Sequence, residues 1–183
     1  MEETIRIYMQ NIHSDDRALQ NQAFMDLLAA TEKPVSWAYD VWDELVATLS
    51  SKNNRQRAIA AQILCNLAKS DHENRMEDDF DALLAVTKDE RFVTARHCLQ
   101  SLWKVGAAGE VQQTMLLQGL ERRYDECTAE KNGTLIRYDI IKSLRNLYDE
   151  RPDEDIKQLA LAWIARDEDP KYRKKYASLW KQV

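Results

Sequence analysis

The chain has 183 residues, a formal net charge of −5 and a pI near 5.3. Four glycines and three prolines are too few for the many tight turns of a β-rich fold, and the acidic balance argues against a protein whose whole surface binds nucleic acid. The three cysteines, Cys65, Cys98 and Cys127, form no CxxC pair, so we expect neither a disulfide framework nor a zinc site. No segment has the roughly 20 apolar residues of a membrane span, so we expect no membrane insertion. A reducing cytoplasm is the expected compartment.

The N-terminal part of the chain is predicted to form two helical hairpins. Apolar residues recur every three or four positions, which is the spacing of one helix face. The predicted helices span about 5–12, 17–30, 37–49 and 57–67. Pro34 ends the second helix, and Ser36 is expected to cap the third.

The remainder of the chain is predicted to form three more hairpins. Their helices span about 76–86, 89–106, 111–124, 134–147, 156–163 and 170–183, the last apolar position being Val183. Asp89 is expected to cap the sixth helix, Gly106 to end it in the left-handed conformation, and Asp169 followed by Pro170 to start the last one. No segment alternates as a strand would, so the sequence predicts an all-α protein with ten helices in five hairpins.

The second helices of the hairpins share a pattern that begins with an arginine. The positions three, four, seven and ten residues after Arg17, Arg57, Arg137 and Arg173 are mostly apolar or small. In the third hairpin Phe92 takes the arginine position, because aligning on Arg96 instead fits the apolar stripe less well. A period of this length indicates a stack of repeats, since one hairpin cannot bury its own apolar faces.

The segment 57–67 resembles the second helix of a HEAT repeat, and the acidic turns at 89–90 and 169–170 resemble the turn within that repeat. The resemblance covers nearly the whole chain, and armadillo and other helical-hairpin repeats share most of it. It implies a right-handed α-solenoid in one domain, 1–183, with first helices on the convex side and second helices on the concave side. The implied repeats are approximately 1–33, 34–71, 72–107, 108–151 and 152–183.

The same resemblance implies a structural role for the repeated arginines. Each is expected to bind an acidic or carbonyl group in the turn of a neighbouring repeat, with Asp15, Asp89 and Asp169 as the candidate acids. The alternative is a concave anion-binding face.

Aromatic residues are numerous, with five tryptophans and seven tyrosines. Four tryptophans lie close to apolar stripes and are predicted to pack in the core: Trp37, Trp103, Trp163 and Trp180. Trp42 lies off the stripe of its helix, so we predict an exposed contact there.

The sequence contains no recognisable catalytic or ligand-binding motif. The histidines, His13, His72 and His97, are scattered and form no metal-ligand pair, and phosphate-binding glycine loops and nucleophile elbows are absent. We therefore expect no metal, no cofactor and no enzymatic activity.

These features favour a non-enzymatic scaffold or adaptor that binds another protein through the outward side of its second helices. The candidate contact residues are Gln62, Asn66, Lys69, His97, Ser101, Lys104, Tyr138, Lys142 and Arg145. The basic and aromatic last helix is a further candidate for contact with phosphate or an acidic partner, although cations also stabilise a helix C-terminus.

Two alternatives remain at this stage. Some DNA-alkylation-repair glycosylases are built of HEAT-like repeats, but the acidic balance makes nucleic-acid binding the weaker reading. Some HEAT-like proteins are lyases or chaperones for bilin-type chromophores, and no motif here distinguishes that role.

Overall fold

The structure is a computed structural model that describes residues 2–181. Its α-helices are α1 (Glu3–Asn11), α2 (Arg17–Ala30), α3 (Ala38–Thr48), α4 (Asn54–Leu67), α5 (Arg75–Ala85), α6 (Phe92–Ser101), α7 (Trp103–Ala107), α8 (Glu110–Glu126), α9 (Gly133–Glu150), α10 (Glu154–Ala165) and α11 (Pro170–Ala177). Only Leu102 separates α6 from α7, so the two act as one second helix and the described chain contains the ten expected helical units. It contains no strand, and Val183 lies outside it.

The helices pack in two rows, which confirms the predicted α-solenoid. The first-helix row consists of α1, α3, α5, α8 and α10, and in it α5 packs against both α3 and α8. The second-helix row consists of α2, α4, α6 with α7, α9 and α11, and each of these helices contacts the next. Helix contacts thus join each hairpin to the next along the stack, as expected for a repeat protein.

The hydrophobic core lies between the two rows. Leu27, Leu64, Leu99 and Leu144 come from four successive second helices, and each is at most 1% exposed. Full burial of a leucine side chain contributes about 1.5–3 kcal/mol. The helical spacing of leucines is therefore sufficient to explain why each hairpin packs on the next.

The tryptophans follow the prediction except at one position. Trp37, Trp163 and Trp180 are buried and Trp103 packs half-buried against the core, but the exposed contact predicted at Trp42 is wrong. That indole is completely buried, and its Nε1 donates to Asp79 Oδ2 at 2.8 Å. Because α3 packs against both α4 and α5, its buried face is wider than one stripe.

The predicted starts of α2, after Asp16, and of α11, after Asp169, are correct. Asp169 Oδ1 accepts from the Lys171 backbone N–H at 2.8 Å, with Pro170 as the first helical residue. Two other capping predictions are wrong. Trp37, not Ser36, is the N-cap of α3, and α6 begins only at Phe92, beyond Asp89.

Gly106 also has a different role from the one predicted. The left-handed residue among those described is Asn74, with φ of 58°, and Gly106 lies inside α7. A Cβ at Gly106 would come within 2.6 Å of Leu116 Cδ2. The glycine therefore allows close packing of α7 on α8 and does not end a helix.

Candidate functional site

A groove opens between α2, α4 and α6 on the second-helix row. It encloses about 680 Å³ and is lined by residues of three consecutive hairpins. Its polar lining includes Asn21, Arg55 and the predicted candidates Gln62 and His97.

Val93 is the apolar side chain most exposed in this groove. It lies at the start of α6, one helical turn before His97, and is 66% exposed. An exposed apolar residue among amides and a guanidinium offers a contact for a partner side chain, while the polar groups can bind main-chain atoms. Sequence analysis missed Val93 because it falls outside the apolar stripe of α6.

Three predicted candidates connect neighbouring second helices. Asn66 is buried and its Nδ2 donates to Thr31 Oγ1 at 3.0 Å, while Lys104 Nζ donates to Asn66 Oδ1 at 2.5 Å. Lys69 Nζ donates to the Glu32 carbonyl at 2.9 Å. Burial lowers the pKa of the Lys104 ammonium from its ordinary value. These side chains therefore bind other parts of the chain, and the structure does not place them in the groove.

The remaining candidates lie on α6 and α9, and their exposure differs. Ser101 is buried and donates to the His97 carbonyl at 3.0 Å. Arg145 binds Asp149 Oδ1 at 2.8 Å and the Leu179 carbonyl at 2.9 Å, so it holds the end of the chain in place. Lys142 is exposed, and Tyr138 is half-buried. On α9, Lys142 and Tyr138 are therefore the two candidates whose side chains reach the surface without such a role.

Three of the four repeated arginines bind carboxylate or carbonyl groups of the fold, as the resemblance implied, whereas Arg17 is exposed and lines the groove. Arg57 donates to both oxygens of Asp89, with 2.8 Å between Nη2 and Oδ1. Arg137 Nη1 lies 3.0 Å from Asp167 Oδ2, so Asp167 is the acceptor where Asp169 was expected. Arg173 donates to the Asp167 carbonyl at 2.8 Å. Asp15 lies in the lining of the groove.

Two further arginines have the same structural role but were not expected. Arg96 forms a bidentate pair with Asp139 inside α9, with distances of 2.7 and 3.0 Å. Arg123 is completely buried and binds both carboxylate oxygens of Glu130 and the carbonyl of Thr87. The hydrogen bonds from Arg123 lower the pKa of Glu130. These guanidinium groups are occupied and do not form an anion-binding face.

The cysteines have the properties of structural thiols. All three are buried and free. Burial raises the pKa of Cys65 to about 12 and also raises the pKa values of Cys98 and Cys127. The thiols are therefore protonated at neutral pH and are not activated nucleophiles.

Residues 2–181 contain neither a metal-ligand cluster nor a membrane-spanning helix. No group of three His, Cys, Asp or Glu side chains there could hold a metal ion. Within the same range, no helix is long and apolar enough to cross a membrane.

Charge is divided unequally between the two rows. The first helices carry fourteen acidic and five basic residues, whereas the second helices carry twelve basic and four acidic residues. The division was available in the sequence once each predicted hairpin had been split into its two helices. The overall net charge of −5 conceals it.

The sequence matches no protein-family model and no curated protein sequence. An engineered protein superposes on this chain with a TM-score of 0.58 and 18% identity, over 98% of this chain and 78% of that one. A second engineered protein gives 0.54 and 16% identity, over 100% and 88%. A designed armadillo repeat protein, solved in complex with the peptide (KR)4, gives 0.49 and 13% identity, over 98% and 88%. At these identities the two superpositions with TM-scores above 0.5 show the fold alone, an α-solenoid of stacked helical hairpins.

Proposed function

We propose that the protein is a non-enzymatic scaffold, formed by one repeat domain over 1–183, that binds a segment of another protein along its second-helix row. The observation that carries the proposal is the groove, because three consecutive hairpins contribute to it. A solenoid presents a large continuous surface for its length, and this surface combines polar side chains with the exposed Val93.

Several observations support binding over catalysis. The titratable side chains nearest the groove, Asp15, Arg17, Arg55 and His97, do not form a nucleophile–base pair, and no hydrogen bond joins His97's ring to a carboxylate in the part of the chain described. Arg57, Arg96 and Arg137 are bound to internal carboxylates, and Arg55 Nη2 donates to Asn21 Oδ1 at 3.3 Å. The groove therefore offers contacts but no assembled reaction centre.

The experiment has two stages. A photoreactive amino acid at His97, on the second-helix row, and in a second variant at Glu77, on the first-helix row, captures contacting proteins in extracts of the native host. The protein captured by the His97 variant alone is then purified, and its affinity is measured by calorimetry. This second stage is needed because capture from an extract does not by itself establish a specific interface.

The deciding comparison uses two exposed valines on opposite rows. Val93→Glu is expected to weaken binding at least about tenfold, because it places a charge against the partner in the groove. Val111→Glu is the matched control, since Val111 is 52% exposed on α8 of the first-helix row; it should change affinity less than about twofold. Equal loss in both variants, or loss only at Val111, would contradict the proposed surface.

A further inference from the structure

The end of the second-helix row carries a cluster of lysines that lack carboxylate partners. We define the basic end patch as Tyr138 and Lys142 of α9 with Lys171, Tyr172, Lys174 and Lys175 of α11. The four lysines are exposed, and none of them forms an ion pair within residues 2–181.

Three cations near the first-helix row, Lys88 after α5, Arg122 of α8 and Arg166 after α10, do have carboxylate partners. Lys88 Nζ lies 2.6 Å from Glu126 Oε2, and Arg122 Nη2 lies 2.9 Å from Asp81 Oδ1. Arg166 reaches two carboxylates, those of Glu121 and Asp125. Exposed lysines without an ion pair among residues 2–181 also occur singly, at Lys52 and Lys131, but the basic end patch brings four of them together on two neighbouring helices.

Helix stabilisation does not account for the patch. Lys174 and Lys175 lie in the last turn of α11, where positive charge favours the helix dipole. Lys171, however, lies in the first turn of α11, where positive charge opposes that dipole, and Lys142 lies in the middle of α9. Two of the four lysines therefore contribute nothing to the stability of their own helices by this route.

The aromatic side chains of the patch already have cations beside them. Lys175 Nζ lies 5.0 Å from the centre of the Tyr138 ring, and Lys171 Nζ lies 5.6 Å from the centre of the Tyr172 ring. Tyr172 also stacks on buried Tyr176 with 6.1 Å between ring centres. Binding of single-stranded nucleic acid needs open ring faces on which bases stack. The geometry therefore favours carboxylates over nucleobases as the groups that approach.

We propose that the basic end patch binds a carboxylate-rich segment of the protein partner. This inference rests on the proposed function, and it specifies the chemistry of the partner at one end of the row. Packed helices such as α9 and α11 have axes about 10 Å apart, a distance that about three residues of an extended chain can span. Acidic residues spaced in this way would meet both helices.

The probe is a fluorescein-labelled peptide of about twelve residues with glutamate at every third position, in salt of about 50 mM so that charge pairs are weakly screened. Binding is measured by fluorescence anisotropy. The reference peptide carries glutamine in place of glutamate, and a single-stranded oligonucleotide of similar length is measured in parallel. We expect the glutamate peptide to bind and the glutamine peptide to bind at least about tenfold more weakly.

The variant that tests the patch is Lys142→Glu with Lys171→Glu. It should weaken binding of the glutamate peptide at least about tenfold. Its fold should be retained, because a glutamate at 171 improves the interaction with the dipole of α11, and thermal unfolding checks this. Lys131→Glu with Lys52→Glu is the matched control, since both lysines are exposed outside the two rows and the change in net charge is identical.

Each outcome decides between alternatives. Equal binding of the two peptides, or equal loss in the test and control variants, would reject the basic end patch as a carboxylate site. Tighter binding of the oligonucleotide, lost in the test variant, would replace the acidic segment with nucleic acid. If the protein captured at His97 binds the test variant normally, the inference fails while the proposed function stands; if Val93→Glu also has no effect, both fail.

Discussion

At the scale of single residues, the role of a charged side chain in this protein depends on the groups to which it is hydrogen-bonded. Arg57 and Asp89 are both largely buried and bind each other through two hydrogen bonds. Burial by itself raises the pKa of Asp89, but the hydrogen bonds from Arg57 and from the Arg91 backbone, together with nearby positive charge, lower it below its ordinary value. The pair therefore links the second hairpin to the third in a pH-dependent way.

We predict that Asp89→Asn lowers the free energy of unfolding by about 1–3 kcal/mol at pH 7, because it leaves the Arg57 guanidinium without its counter-charge. A depressed carboxyl pKa stabilises the fold above the pKa of the unfolded state, and this stabilisation is lost as pH falls through the folded-state pKa. The difference from the parent protein should therefore shrink below pH of about 4.

Urea unfolding at pH 7 and at about pH 3 measures this difference. Asp78→Asn, at an exposed position of α5, is the control and should change stability by less than about 0.5 kcal/mol. A destabilisation by Asp89→Asn that stays constant over this pH range would show that the charge of Asp89 is not its cause.

At the scale of helices and loops, periodicity predicted which segments are helical but not how each one is started. The helix α5 begins after left-handed Asn74, which provides no side-chain cap. Asp71, three residues earlier, accepts from the Arg75 N–H at 3.0 Å and the Met76 N–H at 2.8 Å, and also from the Tyr39 hydroxyl at 2.8 Å. The sequence could not reveal this cap because the chain must first turn at Asn74 to bring Asp71 over the helix end.

We predict that Asp71→Ala costs about 2–3 kcal/mol, more than loss of an ordinary N-cap, because two backbone donors and a tyrosine hydroxyl lose one acceptor. The measurement is chemical unfolding monitored by circular dichroism. Asp81→Ala removes an exposed ion pair with Arg122 and should cost less than about 1 kcal/mol. Similar costs for the two variants would mean that Asp71 is not the effective cap.

The prediction of the candidate contact residues from the sequence was limited in a similar way. Helical spacing placed Gln62 and His97 at the groove and Lys142 at the surface. The same spacing selected Asn66 and Ser101, which are buried. Spacing within one helix identifies the side of the helix on which a side chain lies. Whether that side chain is exposed depends on how the neighbouring helices of the stack pack against it, which only the packed structure shows.

At the scale of the whole molecule, stability should depend on position along the stack. In the second-helix row, α6 contacts both α4 and α9, whereas α1 packs against α2 at one end and α11 packs against α9 and α10 at the other. When stability is a sum over neighbouring units, the units with one neighbour open first.

We therefore predict that hydrogen exchange is slowest in α4 and α6 and faster in α1 and α11 by at least about a hundredfold, because the terminal hairpins open without unfolding the centre. Mass spectrometry of peptic fragments resolves these segments. Leu99→Ala, in the centre of the row, should speed exchange throughout, since a cavity there weakens both neighbouring interfaces. Uniform protection over the described helices would instead indicate one cooperative unit.

The opposite net charges of the two rows also act on a charged partner before it contacts the protein. The first helices carry fourteen acidic residues and the second helices carry twelve basic residues, so the two rows have net charges of opposite sign. Within a Debye length of about 8 Å at physiological salt, an approaching polyanion exerts a torque that turns the second-helix row toward it. For the acidic partner proposed above, encounters would then begin in the orientation that binds, and association would be faster.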